Sequence, residues 1–242
     1  MQRILFCLTL LTSACFLTNA LQAKEIPLPS GKVLKETRAV SSFKNIIIAG
    51  SGQLYIKQGN QESLVIEAED KVLPEINSEV KDDTLTLSPK ESGFSIFSIN
   101  QPVIYHLTVK NIENINISGD MHISGRNTLT TNQLNLEISG AGTADLKVKV
   151  ESLKTKISGS SDIIVQGSAN QQIIEIEGAG EFNGKKLNTK KTRVSISGAG
   201  NTIVNASEEL DINISGFGKV QYYGQPKITQ EISGGGEIIP LG

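Results

Sequence analysis

The chain has 242 residues, and its 25 acidic and 23 basic residues give a formal net charge of −2. Hydrophobic residues make up 38% of the chain and charged residues 20%, which is typical of a folded globular protein and excludes a disordered one. The near-neutral balance gives no electrostatic signature of binding to nucleic acid or to anionic lipid.

The first 23 residues have the pattern of a cleavable secretory signal. Arg3 precedes a mostly apolar run over residues 4–17, and small residues follow at Ala20 and Ala23. The run is shorter than the roughly 20 residues that a membrane-spanning helix needs. We therefore predict a signal peptide over residues 1–23, cut after Ala23 or alternatively after Ala20, and a mature chain without a transmembrane segment. The competing interpretation is a buried N-terminal helix.

Both cysteines of the chain, Cys7 and Cys15, lie inside this segment. The residues before Cys15 are similar to a lipoprotein signal, but Thr12 stands where an aliphatic residue is expected, so lipidation at Cys15 is the less favoured alternative. A mature chain that begins after Ala23 has no cysteine, which leaves no disulfide, thiol nucleophile or cysteine-bound metal. The predicted location is the periplasm, the outer-membrane surface or the extracellular space.

After the signal, the sequence predicts a short extension over residues 24–37 and then a single domain over residues 38–240. No linker rich in proline, serine or charge divides this domain. Residues 38–109 are rich in strand patterns but lack a tight repeat, so we expect them to form the first coils of the domain with longer connections.

The longest predicted loop runs over residues 89–102 and contains Phe94, Ile96 and Phe97. Apolar side chains in a long surface loop can bind a partner. Alternatively, they fold back and cover an open end of the repeats, which must be protected from edge pairing. The sequence leaves both interpretations open.

The strongest signal in the chain is an internal repeat of about nineteen residues. An isoleucine, a serine (glutamate in one copy) and a glycine recur seven times, and the successive first glycines are 21, 19, 19, 20, 18 and 18 residues apart. Most copies carry a second glycine two positions later. The predicted turn glycines are Gly119, Gly140, Gly142, Gly159, Gly178, Gly180, Gly198, Gly200, Gly216, Gly218, Gly234 and Gly236.

Between these turns, apolar and polar residues alternate, which is typical of strands with one buried face. Leu210, Ile212 and Ile214 are predicted to point inward, and the residues between them outward. No proline occurs over residues 103–225, as expected of strands whose amides are all used in ladders. Each unit therefore consists of a strand, a glycine turn, a second strand and a return.

Two all-β architectures fit this unit. In a β-solenoid, right-handed and parallel β-helix-like, each unit of about 19 residues is one coil that stacks about 4.8 Å from the next, so seven coils give a rod of about 34 Å. The alternative is an antiparallel β-meander or sandwich, in which each glycine motif is a hairpin turn. The recurrence of the motif at one phase of every unit favours the solenoid, because equivalent corners then stack and small glycines let them approach closely and adopt positive φ.

Several segments together resemble one known family of secreted proteins. They are the entry Arg38–Phe43 with Ile46, Gly50 and Gly52, the stretches Leu54–Gly59 and Leu64–Glu67, the serial glycine turns, and the ending Val220–Pro226 with Ile232–Gly236. The family is described as putative auto-transporter adhesin, head GIN domain, and the resemblance covers about residues 38–238. It implies a β-helical fold and an exported location, and it carries no catalytic motif. An autotransporter needs a C-terminal membrane barrel. This sequence reaches residue 242 directly after the last repeat, so we expect a head without its own translocator.

No residue pattern in the chain predicts a cofactor, a metal site or a catalytic group. His106 and His122 are the only histidines, too few for a histidine-rich metal site, and both fit ordinary strand positions. A calcium-binding β-roll needs an aspartate at one place in every turn. The residues three positions after the first turn glycines are too varied for a ladder of carboxylates: Thr143, Asp162, Glu181, Asn201, Lys219 and Glu237.

We therefore expect an exported, non-enzymatic binding or adhesion protein of the bacterial cell envelope, whose partner is a protein or a glycan and not nucleic acid. Glu175 and Glu177 lie on the outward phase of one strand and leave open a glycan-processing enzyme with carboxylates on an outer face. A purely structural envelope protein is the third possibility. The candidate contact residues are Phe94, Ile96, Phe97, Tyr222 and Tyr223, and alternation predicts that one of the two tyrosines is buried.

Overall fold

The computed structural model describes residues 31–90 and 101–242. These residues are mostly strand, and the strands stack into a β-solenoid of about six turns with about 19 residues per turn. The predicted fold class is confirmed. The predicted signal peptide and the loop residues Phe94, Ile96 and Phe97 lie outside the described residues. Over the part of the chain that is described, no helix is long and apolar enough to cross a membrane.

Over residues 31–90 and 101–242, strands follow one another with a single short 3-10 helix between them. They are β1 (Val33–Arg38), β2 (Asn45–Gln58), β3 (Ser63–Glu69), β4 (Ile76–Lys81), β5 (Thr84–Pro89), β6 (Ile104–Val109), β7 (Asn114–Ile138), β8 (Ala141–Ile157), β9 (Ser160–Ile176), β10 (Ala179–Ile196), β11 (Ala199–Ile214), β12 (Phe217–Tyr223), β13 (Lys227–Ile232) and β14 (Gly235–Pro240), and the 3-10 helix is η1 (Leu73–Glu75).

Each long strand supplies two arms of the stack, separated by a bend. In β8, residues 141–150 form what we call the first arm, which follows a glycine corner, and residues 152–157 form the second arm, which precedes the next corner. The first arm pairs in parallel with residues 160–169 of β9, and the second arm with residues 171–176. The same parallel register relates β9 to β10 and β10 to β11. Parallel pairing of consecutive units rules out the antiparallel meander.

Alternation along the arms fills the interior, as the sequence predicts. Leu210, Ile212 and Ile214 expose at most 1% of their surface, and the equivalent residues of neighbouring coils lie directly above and below them. One continuous core of aliphatic side chains therefore runs from β2 to β12. Its narrow width suits aliphatic side chains, and Phe43 and Phe182 are the aromatic residues that are fully buried among the described residues.

The N-terminal strands depart from simple stacking. Strand β2 lies inside the stack, with β7 parallel on one side and β5 and β6 parallel on the other. Strands β1, β3 and β6 pair in antiparallel fashion, as do β4 and β5. The expected first coils are thus present in β2, β5 and β6, while β1, β3 and β4 flank them. Strand β1 also extends the ordered fold into the stretch 24–37, which the sequence places before the domain.

The first glycines of the turns stack into one column. A Cβ at Gly119 would lie 2.8 Å from the carbonyl carbon of Gly50 and would overlap its oxygen. The same overlap, each time with the backbone at the first glycine of the preceding coil, would occur at Gly140, Gly159, Gly178, Gly198, Gly216 and Gly234. Any side chain in this column would therefore push two coils apart.

Four of the five second glycines, Gly180, Gly200, Gly218 and Gly236, accommodate the isoleucine of the preceding coil, whereas a Cβ at Gly142 would overlap the backbone of Met121. A Cβ at Gly180 would lie 2.9 Å from Cγ2 of Ile157, and a Cβ at Gly200 would lie 2.9 Å from Cγ2 of Ile176. The expectation of close approach is therefore right. The expectation of positive φ is wrong for most of these turns: among the predicted turn glycines, only Gly119 and Gly142 have it.

Replacing one glycine of the column tests this close approach. We expect Gly198→Ala to destabilise the protein by about 3 kcal/mol, because the new methyl group must separate two hydrogen-bonded coils. For a chain of this size, this corresponds to a melting temperature lower by about 6–12 °C in a thermal scan. The control is Ser197→Ala at the adjacent exposed position, which should change the melting temperature by at most about 2 °C. Equal melting temperatures for the two variants would contradict the close approach.

Candidate functional site

Stacking of the corners aligns the outward side chains into columns, and the charges in these columns pair between coils. On the second arm, Lys154 Nζ lies 2.9 Å from Glu175 Oε1, and Lys156 Nζ lies 3.0 Å from Glu177 Oε1. These four side chains form a ladder of alternating charge on an outer face. The charges of these two ion pairs therefore compensate one another.

The same face continues toward the C-terminal coils with two further ion pairs. Lys191 Nζ lies 2.8 Å from Glu209 Oε1, and Arg193 Nε donates to Asp211 Oδ2 over 2.9 Å. A shallow depression of about 510 Å³ lies over these pairs and is bounded at its C-terminal end by Lys227. Its lining is formed mostly by outward residues of the second arms. No insertion among the described residues deepens it into a cleft.

Glu175 and Glu177, the carboxylates that suggested glycan processing, are both engaged by lysines. The hydrogen bond from Lys156 holds the pKa of Glu177 below its ordinary value of 4.5, with a further contribution from the hydroxyl of Ser158. A general acid in glycoside cleavage needs the opposite shift, because it must stay protonated near neutral pH. This arrangement stabilises a charged outer surface and disfavours a catalytic role for Glu177.

The two histidines lie on the outer surface of first-arm strands. His106 Nε2 lies 3.3 Å from Glu67 Oε2, and its ring centroid is 5.4 Å from that of Tyr55. The guanidinium of Arg126 covers the other ring, with its Cζ 3.8 Å from the Tyr55 centroid. These are cross-strand pairs between β3, β6, β2 and β7. The histidines therefore lie at ordinary strand positions, as the sequence predicts.

The column three residues after the first turn glycines is present, and its members pair with one another. His122 Nδ1 is 2.8 Å from Thr143 Oγ1, Asn201 donates to Glu181 over 3.1 Å, and an ion pair of 3.0 Å links Lys219 with its acidic neighbour in the next coil. Within residues 31–90 and 101–242, no three His, Cys, Asp or Glu side chains are grouped so that they could hold a metal ion.

Tyr222 and Tyr223, predicted as contact residues, are both half-buried. Tyr222 packs against the core, and Lys185 Nζ lies 5.2 Å from the ring centroid of Tyr223. The expectation that one of the two tyrosines is buried is therefore wrong. Tyr222 has the inward phase, but it stands opposite Pro240 in the last coil, and nothing in the described part of the chain covers that coil.

Phe217 is a candidate that the sequence reasoning missed. It exposes 75% of its surface, the largest value among the exposed large hydrophobic side chains of the described residues. It lies between the two glycines of a turn, where the other repeats have a small residue or, once, an aspartate: Asp120, Ala141, Ser160, Ala179, Ala199 and Gly235. Aligning the repeats would have revealed this exchange.

The ring of Phe217 leans over the next coil. A Cβ at Gly235 would lie 2.6 Å from Cδ1 of Phe217, so the glycine makes room for the ring. Tyr223 lies six residues further along β12, about 20 Å away in an extended strand. The structure therefore does not bring Phe217 and Tyr223 into one patch.

A titration of Glu177 tests the ion-pair interpretation of the outer face. We expect its pKa, measured by carboxyl NMR, to lie below 4.5 and to return toward 4.5 in Lys156→Met. Because the folded-state pKa is lowered, the pair contributes stability above the unfolded pKa and loses it as the pH falls through the folded pKa. Lys147→Met, which removes a lysine from the first arm, serves as the control and should leave the titration unchanged. A raised pKa in the unsubstituted protein would instead fit a general acid.

Comparisons with known proteins agree with the geometry. Residues 42–226 match the model of the family described as putative auto-transporter adhesin, head GIN domain. A comparison with curated proteins found no match.

Solved structures share the fold over nearly their whole length. The structure of a putative adhesin from Bacteroides fragilis is 28% identical to this chain, with a TM-score of 0.83, and the match covers 88% of this chain and 99% of that one. A putative lipid binding protein from Parabacteroides distasonis is 22% identical, with a TM-score of 0.71 and coverage of 88% and 98%. A putative adhesin from Parabacteroides merdae is 18% identical, with a TM-score of 0.61 and the same coverage. The last two show the fold alone.

Proposed function

The chain belongs to the family described as putative auto-transporter adhesin, head GIN domain, and from this premise we propose that it is an exported, non-enzymatic binding or adhesion protein of the bacterial cell envelope. The predicted signal peptide over residues 1–23 would direct the export, and residues 38–240 would form the single binding domain. The partner would be a protein or a glycan of the envelope.

Exposed Phe217 is the observation that carries this proposal. Leaving a phenylalanine in water forgoes the roughly 1.5–3 kcal/mol that burial of such a side chain contributes. At the equivalent positions Ala179 and Ala199, the same turn forms with a methyl group, so the fold itself does not need the ring. An aromatic side chain held outward at a rigid corner suits contact with an apolar patch of a protein or with the apolar face of a sugar ring.

The outer ion pairs support a binding role over a catalytic one. The carboxylates of Glu175 and Glu177 each lie within 3.0 Å of a lysine nitrogen. The hydrogen bond from Lys156 holds the pKa of Glu177 below its ordinary value, which leaves this carboxylate poorly suited to deliver a proton. The depression over the second arm is shallow, and its charged lining residues other than Lys227 form ion pairs. A flat, rigid and charge-balanced face fits recognition of a large surface.

Binding to envelope material tests the proposal. The mature chain, residues 24–242, is incubated with isolated envelopes, and the bound fraction is measured by co-sedimentation. We expect Phe217→Ala to weaken binding about tenfold, which is about 1.4 kcal/mol, through loss of the aromatic contact. It should leave the melting temperature nearly unchanged, because the side chain is exposed. Ile164→Ala, which also removes an exposed apolar side chain on a first arm, is the matched control and should bind like the unsubstituted chain.

Three outcomes would contradict the proposal. Release of reducing sugar ends or of peptides from the envelopes would indicate an enzyme. Absence of any bound fraction would favour a purely structural component over an adhesin. Equal loss of binding in Phe217→Ala and Ile164→Ala would show that the corner ring is not the contact.

A further inference from the structure

The outer edge of the last coil is unpaired in the structure. Strand β13 pairs with β11 on its inner side, and β14 pairs with β12. Within residues 31–90 and 101–242, no strand pairs with the opposite edges of β13 and β14. These edges present backbone N–H and C=O groups that can form a ladder with another chain.

The core also opens at this coil. Ile232 exposes 40% of its surface, whereas Ile214, directly beneath it, exposes 0%. Ile228 is half-buried, whereas its neighbour Leu210 exposes 1%. The last coil therefore presents an apolar cross-section next to its free strand edges, and a further layer would bury both.

The ion pairs between coils have a constant direction. In each of them, the base belongs to one coil and the acid to the coil that follows it: Lys44 with Glu113, Lys154 with Glu175, Lys156 with Glu177, Lys191 with Glu209, Arg193 with Asp211, and Lys219 with Glu237. Lys227 is the next base in this series. It has no ion-pair partner among the described residues, and none of them pairs with the outer edge of its strand.

The sequence of β13 is complementary to itself. When two copies of this strand pair in antiparallel fashion about Thr229, Lys227 of each copy stands opposite Glu231 of the other. Lys227 and Glu231 both lie at outward positions of β13. This register therefore places the outward residues of one copy beside the outward residues of the other. Glu231 accepts a hydrogen bond from Asn213 over 3.5 Å and forms no ion pair among the described residues, so it is available for this contact.

We propose that two copies of this chain associate through their last coils, with β13 antiparallel to its counterpart about Thr229. In this arrangement, Glu231 of one copy stands directly opposite Lys227 of the other, as Glu209 stands opposite Lys191 in consecutive coils. The contact is isologous and closes on itself as a dimer. This inference goes beyond the proposed function and does not depend on it.

The segments outside the described residues are attached at the other end of the stack. Residues 91–100 connect β5 to β6, which both pair with β2 near Gly50. Because this segment of ten residues begins and ends at the same end of the stack, it can extend at most about 19 Å from that end. The seven steps from Gly50 to Gly234 span about 34 Å. In the predicted mature chain, residues 24–30 add at most about 24 Å to the N-terminal end of the described residues. A second copy is therefore a better candidate for the layer than these segments.

Charge reversal tests the proposed dimer. Analytical ultracentrifugation of the mature chain should show a dimer, and Lys227→Glu and Glu231→Lys should each weaken it at least about tenfold by placing like charges opposite each other. The double variant that carries both changes restores the opposite charges and should dimerise like the unsubstituted chain. Lys190→Glu makes the same charge change at an exposed position away from this coil and is the control. Circular dichroism verifies that each variant is folded.

A cysteine at the symmetry axis tests the register. In Thr229→Cys the two equivalent Cα atoms should lie about 4.5–5.5 Å apart, within the range of a disulfide. We expect rapid oxidation to a covalent dimer, whereas Gln171→Cys on the same arm, three coils away, should stay monomeric on a denaturing gel. A monomer at all concentrations, a dimer that resists Lys227→Glu, or equal cross-linking of the two cysteine variants would each overturn the proposal.

Discussion

The whole architecture depends on the close approach of the backbone at the corners. From Gly50 to Gly234, the carbonyl group at each first glycine lies where a Cβ of the next one would be. Only glycine therefore permits coils to stack at the spacing of hydrogen-bonded strands, about 4.8 Å. The corner also fixes which residues of each arm point inward and which point outward. Because all arms start in phase, inward and outward residues align in columns along the whole stack.

The interior follows from the same constraint. In four turns, the second glycine leaves a space that the isoleucine of the preceding coil fills, as Ile196 does at Gly218 and Ile214 does at Gly236. Where serine replaces this glycine, the hydroxyl of Ser161 is buried and has no hydrogen-bond partner among the described residues. A buried unsatisfied group of this kind opposes folding by about 1–3 kcal/mol. Glycine is therefore the more favourable residue at the second position as well as at the first.

A few polar side chains interrupt the aliphatic columns. Gln172 and Thr192 are buried in register between Leu153 and Leu210. The hydroxyl of Thr192 lies 2.7 Å from that of Thr189, which donates to a backbone carbonyl of the next coil, so these hydroxyl groups are satisfied. The stack tolerates such exchanges because each coil contacts only its neighbours, and it gives the outward positions freedom to vary. Phe217 and the charged residues of β13, Lys227 and Glu231, lie at such outward positions.

The repeated part of the fold can be predicted from the sequence, but the arrangement of the N-terminal strands, which have no regular repeat, cannot. The spacing of the Ile-Ser-Gly turns and the alternation of Leu210 to Ile214 are enough to predict parallel coils. The position of β2 between β5, β6 and β7 depends on pairs such as Asn45 with Thr84 and with Asn114, which no local pattern marks. Phe217 could have been found by aligning the repeats. Tyr222 is only half-buried because the last coil is open, and the alternation of residues within one strand does not indicate whether another layer covers that strand.

Distances between corners measure the stacking most directly. The mature chain is predicted to contain no cysteine, so pairs of spin labels can be placed at the serines before the glycine column and measured by pulsed electron resonance, in excess unlabelled protein. For Ser158, Ser139 and Ser118, each paired with Ser233, one coil per unit predicts separations of about 19, 24 and 29 Å, an increase of about 4.8 Å per unit. An increase of about 10 Å per unit would mean that two strands lie side by side in each repeat. That result would contradict the stacked corners.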